Sequence, residues 1–208
     1  MSPRAPIRPV RGAALALGAA LLLGGCAASV PPPMPVGALA NLPRVAMMPL
    51  ENLSGRPEAT EPVTRIFLGA LGETRQCQTI EPGDVEGVFT VLRIRDATGL
   101  TSDRVPEVAS RLGARYLLAG TLLEYGSVRS PDGDVPTVGV SLRLIDGKNA
   151  RVVWSAMRVR SGEDRETMFG WGRVRSVDQL ADRIARELLR DFRLPAEGDS
   201  AAVGGGGR

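Results

Sequence analysis

The sequence lacks histidine, and it has only two cysteines, eight aromatic residues and a single lysine, Lys148, among 208 residues. Without histidine, no Ser-His-Asp or Cys-His catalytic group and no histidine-containing zinc site can form. This absence is the first of several observations from which we predict that the protein holds no metal, has no cofactor and is not an enzyme. The two cysteines are Cys26, directly after the apolar residues 12–25, and Cys77. If Cys26 is chemically modified, Cys77 has no disulfide partner in the chain.

A hydrophobic run long enough to cross a membrane is also missing. The longest uncharged apolar run covers residues 12–25 and follows Arg4, Arg8 and Arg11. As a helix, its 14 residues would measure about 21 Å at a rise of about 1.5 Å each, against a hydrocarbon core of about 30 Å. A basic segment followed by a short apolar one is typical of an export signal, which we predict over residues 1–25.

The end of this run, Leu-Gly-Gly-Cys, resembles the bacterial lipobox. In lipoproteins of that kind, the cysteine thiol receives diacylglycerol, the chain is cut before the cysteine, and the new amino group is acylated. The resemblance implies cleavage between Gly25 and Cys26, with Cys26 as a multi-chain lipid anchor of the kind that holds a protein stably on a membrane. Ala27 and Ala28 follow and favour the outer membrane in the enterobacterial sorting pattern. The alternative is an ordinary signal peptide with an incidental cysteine.

Removal of the signal leaves a chain with 23 basic and 23 acidic residues. A neutral chain offers no composition-based argument for nucleic-acid binding. Residues 26–42 are uncharged and rich in proline and alanine, which predicts a lipidated, semi-extended tether. Residues 43–194 have the length of one domain, and the glycine-rich residues 195–208 are predicted to be a disordered tail.

Hydrophobic periodicity in the domain predicts an α/β sandwich with the order β-α-β-α-α-β-β-β-α. Three helix starts are predicted from capping residues, namely Thr60, Ser102, and Ser176 with Gln179 as a capping box. Gly113 stands where a left-handed residue would end the third helix.

Three motifs, in order, resemble the TolB amino-terminal-like domains. They are VAMMPLENLSGRPEA from Val45, ASRLGARYLLAGTL from Ala109 and LIDGKNARVVWS from Leu144. The resemblance implies a mixed β-sheet with packed helices, a fold shared with the curli secretion channel subunit, the Pel polysaccharide export lipoprotein and the lipoprotein activator of penicillin-binding proteins. None of these is an enzyme. The longest candidate insertion begins at Tyr125. It is polar, interrupted by proline and too short for paired membrane-spanning strands of about 9 to 11 residues each, which argues against a pore.

The segment Arg165–Ser176 is the most informative one for function. It places Met168, Phe169 and Trp171 between glycines, with Arg173 beside them. Tryptophan, methionine and arginine are enriched in the centres of protein interfaces, so these residues form a candidate interaction loop. The alternative is that Phe169 and Trp171 fold back over the sheet or the core. If exposed, they would contact a protein partner or the membrane surface.

Glu58 and Glu61 are the remaining acidic candidates. Two carboxylates at this spacing could serve acid–base chemistry. Acidic residues at a helix start are also stabilised by the helix dipole, which explains them without catalysis.

Taken together, these features predict a non-enzymatic, lipid-anchored cell-envelope protein on the periplasmic face of the bacterial outer membrane. It would act through protein–protein contacts, as a subunit of an assembly or as an activator. Its partners would be the membrane, through acylated Cys26, and envelope proteins or further copies of itself, but not nucleic acid. Two alternatives stay open, a ring-forming component of a polysaccharide or protein export system, and a periplasmic small-ligand binder or enzyme.

Overall fold

The chain folds around one six-stranded mixed β-sheet. The computed structural model describes Gly37 and residues 40–131, 133–164 and 174–195, which belong to one compact unit. The strands are β1 (Arg44–Met47), β2 (Glu51–Asn52), β3 (Gln78–Ile80), β4 (Tyr116–Ser130), β5 (Gly133–Asp146) and β6 (Val152–Ser161). The helices are α1 (Thr60–Glu73), α2 (Pro82–Leu92), α3 (Val105–Leu112) and α4 (Val177–Arg190), and two 3-10 turns cover Pro57–Ala59 and Ala97–Gly99.

The strands lie in the order β3-β1-β4-β5-β6, with β2 beside β4. Strand β1 runs parallel to β3 and β4, whereas β4, β5 and β6 form an antiparallel meander. Strands β1 and β2 pair with the same side of β4, at Leu118 and Thr121 respectively. Pro49 lies between them, and because proline has no backbone N–H it interrupts the ladder. The predicted mixed α/β fold is confirmed, and so is the predicted element order apart from the two-residue strand β2, which that order lacks.

Two hydrophobic clusters lie on opposite faces of the sheet. The larger one packs α1 and α4 against β1, β4, β5 and β6, and it includes Phe67, Leu118, Leu142, Leu180 and Phe192. The smaller one packs α2 and α3 against β1, β3 and β4, with Phe89 and Leu117 among its members. The alternation of side chains along each strand produces this division.

The candidate insertion that begins at Tyr125 is a continuation of the sheet. Strands β4 and β5 stay paired from Tyr116 with Asp146 as far as Ser130 with Gly133. Pro136 is tolerated because its carbonyl accepts a bond from the Gly162 N–H, at 2.8 Å, beyond the end of β6. Its nitrogen points to that same side, where no strand needs a donor.

Helix ends follow the predictions only in part. Gly113 ends α3 with φ 59° and ψ 31°, the expected left-handed conformation. The predicted caps are wrong in detail, because none of the three helices has a side-chain capping bond. Thr60 is the first residue of α1 and its hydroxyl instead accepts a bond from the Asn52 amide, at 2.9 Å. Ser102 lies outside the cap position, which Arg104 occupies.

Candidate interaction surface

The two faces of the sheet are covered to different extents. Helices α1 and α4 extend over one face as far as β6, where the Arg160 guanidinium bonds the carboxylate of Glu187 at 3.1 Å. On the other face, α2 and α3 pack against β3, β1, the start of β4 and a single β5 residue of their cluster, Ile145. In the described part of the chain, no helix packs on this second face of β6, or on the part of β5 that precedes Ile145.

Apolar side chains are exposed on this uncovered area. Six large apolar side chains are exposed in the described residues, and three of them belong to β6. They are Val152 (48% exposed), Met157 (62%) and Val159 (42%). Arg143 of β5 is exposed on the same face, opposite Ser155. We call these four residues, Arg143, Val152, Met157 and Val159, the open edge.

A β-bulge explains why Val152 lies on the uncovered face together with Met157 and Val159. The register shifts so that Ile145 opposes Val152 whereas Leu144 opposes Trp154. Trp154 therefore packs on the larger cluster, with its ring 5.1 Å from that of Phe192 in a T-shaped contact. Val152 turns to the uncovered face. A half-buried edge strand normally places polar residues on its outer face, so the apolar residues there are unusual.

A groove lies near the end of the strand order opposite to β6. It is located where β1 ends and where α1 and α2 begin. It encloses about 340 Å³, and Met47, Pro49 and Val85 supply its apolar lining. Three acidic residues, Glu58, Glu61 and Glu86, also line it, with Arg65 as the basic residue. We call these seven residues the acidic groove.

The carboxylates of the acidic groove do not form a catalytic pair. Glu61 bonds Arg65 at 2.8 Å and Glu58 lies 3.9 Å from Arg56. The side chains of Glu58 and Glu61 are 69% and 78% exposed. Exposed carboxylates with separate arginine partners are what the helix-start interpretation predicts.

The candidate interaction loop, Met168, Phe169, Trp171 and Arg173, lies outside the described residues, as do Gly25 and Cys26. These assignments stay predictions. The structure does show where the loop is attached. Val174 is buried in the larger cluster, and its N–H donates to the Gly162 carbonyl at 3.0 Å.

Gly162 is a point of close approach at the base of this loop. A Cβ atom at Gly162 would lie 2.4 Å from the Val174 carbonyl oxygen and 2.8 Å from the Pro136 ring. We expect Gly162→Ala to lower the free energy of unfolding by about 1–3 kcal/mol, because backbone atoms must move to accept the methyl group. Urea denaturation measures the loss.

Gly87→Ala is the matched control. Gly87 is exposed within α2, and an added Cβ would meet no atom within 4 Å. Alanine in a helix interior is better than glycine by about 0.5–1 kcal/mol, so this variant should be slightly more stable than the wild type. Equal stability of the two variants would show that the close approach at Gly162 has no energetic consequence.

The described residues include no helix that is long and apolar enough to cross a membrane. Among the same residues, no group of three or more histidine, cysteine, aspartate or glutamate side chains is placed to hold a metal ion. Cys77 is buried, and burial raises the pKa of its thiol to about 11. At neutral pH this thiol is therefore protonated and a poor nucleophile.

No protein-family model and no curated protein matches the sequence. Solved structures do match. A single-residue variant of the PelC dodecamer from Paraburkholderia phytofirmans is 25% identical, covers 73% of this chain and 89% of its own, and aligns with a TM-score of 0.51. PelC in a second crystal form gives 25% identity, 71% and 86% coverage, and a TM-score of 0.50. Lipoprotein GNA1162 from Neisseria meningitidis is 19% identical, with 71% and 99% coverage and a TM-score of 0.55.

The chain has the fold of these proteins. The resemblance predicted from the three sequence motifs, to the fold that includes the Pel export lipoprotein, is therefore confirmed at the level of the fold. PelC and GNA1162 are covered almost completely, so the likeness extends over the whole domain and is not limited to a shared βαβ unit.

The sequence prediction missed the open edge and the acidic groove. A signal for the first was available, since the β6 sequence VVWSAMRVRS has apolar residues at both odd and even positions. A strand with one solvated face should alternate, so this pattern indicates either burial on both faces or an unoccupied contact surface. The groove had no local signal, because its residues come from three separate segments.

Proposed function

We propose that this protein is a lipid-anchored component of the bacterial cell envelope that acts, without catalysis, as a subunit of a multi-copy assembly. The observation that carries the proposal is the likeness to PelC, which is 25% identical over most of its length and forms a dodecamer. An uncovered apolar surface on an edge strand gives this chain a place for such contacts.

Anchoring is the second part of the proposal. Acylation of Cys26 would hold the domain on the periplasmic face of the outer membrane, and residues 26–42 would be its tether. GNA1162 is a lipoprotein, which supports this part of the proposal. Confinement to one membrane surface raises the local concentration of the domain, and this favours association between copies without any additional contact.

A role without catalysis agrees with the chemistry of the described surface. The acidic residues that sequence analysis considered for acid–base work are exposed and paired with arginines. The cavity of about 580 Å³ beside Tyr116 contains Arg115, but both carboxylate oxygens of Asp146 lie 3.0 Å from its guanidinium. A guanidinium engaged in this way offers little to a ligand, so a small-ligand binder is the less supported alternative.

The oligomeric state of the full chain tests the proposal. The chain is expressed with its own signal in a Gram-negative host, extracted from membranes in a mild detergent and weighed by native mass spectrometry. We expect a defined species of several copies. A monomer at micromolar concentration would contradict the assembly role and favour an activator that binds another envelope protein.

A further inference from the structure

We propose that the end of the domain from which the tether leaves binds the anionic phospholipid headgroups of the membrane that holds the anchor. The inference rests on the anchoring part of the proposed function, and it adds an electrostatic contact to the one through Cys26. It assigns the membrane-facing surface of the domain to Arg44, Lys148 and Arg193, which we call the basic end.

Hydrogen bonds fix the point at which the tether leaves the domain. The Leu42 carbonyl accepts a bond from the Gln78 side-chain amide at 3.1 Å, and the Pro43 carbonyl accepts one from the Gln78 N–H at 3.0 Å. Strand β1 starts directly afterwards, at the end of the sheet where β3, β4 and β6 also begin and where β5 ends. This end of the domain is therefore the closest one to the lipid anchor along the chain.

Two residues of the basic end belong to segments that meet at this point. Arg44 is the first residue of β1, and its carbonyl accepts a bond from the Arg115 N–H at 2.8 Å. The Arg115 carbonyl accepts a bond from the Gly147 N–H at 3.0 Å, and Lys148 is the next residue of that turn. Arg44 and Lys148 therefore lie on either side of Arg115 at the tether exit.

The residues after α4 return to the same end. The Gln76 side-chain amide donates to the Phe192 carbonyl at 2.8 Å, and Leu194 lines the same cavity of about 580 Å³ as Leu42. The Arg193 guanidinium also bonds the Phe192 carbonyl, at 2.6 Å. The charge of Arg193 is therefore held beside the tether exit.

The charges of the basic end are not balanced by carboxylates of the described chain. Its three residues are exposed, and none of them forms an ion pair among the described residues. Arg115 differs from them, because both carboxylate oxygens of Asp146 lie 3.0 Å from its guanidinium. The contact that we propose therefore depends on the basic end and not on Arg115.

Charge is also distributed unequally between the two ends of the domain. At the tether end, the segments 74–77, 113–115, 147–151 and 191–195 contain five basic residues and one acidic residue, Asp191. At the opposite end, the described residues between β2 and α1, between β3 and α2, and between β6 and α4 include two basic and four acidic ones. A chain without net charge thus presents a positive end, and anionic lipids attract basic residues that lie close to their surface.

The tether makes the lipid surface the charged partner that this end meets most often. Residues 26–42 measure about 60 Å at most when fully extended. Because the tether starts at the basic end, this end meets the surface whenever the tether shortens. The opposite end is about 50 Å away along the 15 residues of β4, so it meets the surface only if the domain turns over. Tethering therefore raises the effective concentration of headgroups mainly at the basic end.

Amine labelling on vesicles tests the proposal. Lys148 is the only lysine of the chain, and the amino terminus is acylated in the proposed protein, so an amine-reactive ester labels the basic end selectively. Arg129→Lys adds a second lysine, without a change of charge, near the tip of the β4–β5 hairpin at the opposite end. The full chain, purified in mild detergent, is added to preformed vesicles of phosphatidylcholine alone or of equal parts phosphatidylcholine and phosphatidylglycerol. Peptide mass spectrometry measures the rate at each lysine.

On the anionic vesicles we expect Lys148 to react several-fold more slowly than the lysine that Arg129→Lys adds. On the neutral vesicles the ratio of the two rates should equal the ratio in detergent. High salt should remove the protection on anionic vesicles, because it screens the attraction between exposed charges and headgroups.

Charge variants identify the residues responsible. Arg44→Gln together with Arg193→Gln should abolish most of the protection of Lys148. The matched control, Arg143→Gln together with Arg158→Gln, removes the same charge at exposed positions of β5 and β6 away from the basic end, and should leave the protection unchanged. Thermal unfolding checks that both double variants are folded.

Equal rates at Lys148 on both kinds of vesicle would overturn the proposal. Protection on neutral vesicles, unaffected by salt, would also overturn it, because the contact would then be apolar or between copies. Flotation with neutral vesicles tests the anchor separately, since only the acyl chains hold the protein there. If the chain floats with both kinds of vesicle and Lys148 is not protected, only the inference is wrong. A chain that does not float with neutral vesicles lacks the anchor, and the inference fails together with the anchoring part of the proposed function.

Discussion

The Cys26→Ala variant is expected to be absent from the outer-membrane fraction, whereas the wild-type chain is recovered there almost completely. The reason is that the thiol is the proposed attachment point of the lipid. Without it, neither acylation nor cleavage after Gly25 can occur. Even one acyl chain gives only marginal, reversible membrane binding, so loss of all the chains should abolish anchoring. Separation of the membranes, together with the mass of the mature chain, measures both effects.

Cys77→Ala is the matched control for that experiment. Cys77 is the only other cysteine, and it is buried in the larger cluster. Its substitution removes a thiol without touching the predicted lipobox, so the variant should keep its acyl mass and its place in the membrane. Recovery of the wild-type chain as an unmodified soluble protein would contradict the lipoprotein assignment, and the proposal would then retain only its assembly part.

The Phe192→Ala variant is expected to lose about 3–5 kcal/mol of the free energy of unfolding. Phe192 is completely buried just after α4, and its ring meets that of Trp154 in a T-shaped contact with centroids 5.1 Å apart. Removal of the ring leaves a cavity between the last helix and the edge strand β6. Such a loss is a large share of the total stability of a domain, which is about 5–15 kcal/mol. Urea denaturation followed by circular dichroism measures it.

Two further variants separate the causes of that loss. Phe192→Leu keeps most of the volume and removes the aromatic contact, which contributes about 0.5–1.5 kcal/mol beyond burial. Val91→Ala removes an apolar side chain that is 65% exposed, and it should change stability by less than about 0.5 kcal/mol. A Phe192→Ala variant as stable as Val91→Ala would mean that the ring is not enclosed in solution.

A stable contact between α4 and β6 also has a bearing on the proposed assembly. Because Phe192 and Trp154 fix one face of β6, they hold the opposite face, with Met157 and Val159, in a defined position. A rigid edge strand loses less conformational entropy when it binds a second copy than a mobile one does. We therefore expect Phe192→Ala to reduce association as well as stability.

Local sequence patterns were sufficient for the order of elements except for the two-residue strand β2. The stripe of α4, with Leu180, Ile184 and Leu188 buried on one face, follows directly from helical periodicity. Gly113 ends α3 because a left-handed residue is needed there and glycine adopts that conformation at little cost. These features depend on neighbours a few residues apart, so the sequence alone determines them.

Capping residues were a poorer guide. Ser176 has the extended backbone of an N-cap, but its side chain makes no capping bond to α4. The predicted cap Thr60 is instead the first residue of α1, and its hydroxyl bonds Asn52 of β2. Competition from tertiary hydrogen bonds decides which polar group serves a helix end, and a local pattern contains no information about such competitors.

The sequence by itself determined the predicted export signal with Cys26, the lack of histidine chemistry and the mixed α/β order, because each depends on residue type or on short-range periodicity. Only the tertiary structure decided that β4 and β5 stay paired as far as Ser130, that a bulge turns Val152 outward, and that α2 and α3 leave β5 and β6 uncovered. Those outcomes depend on which segments meet in space. Among the described residues, this face of β5 and β6 is uncovered because α1 to α4 cover the two faces of the six-stranded sheet unequally, and no stretch of the sequence records that balance.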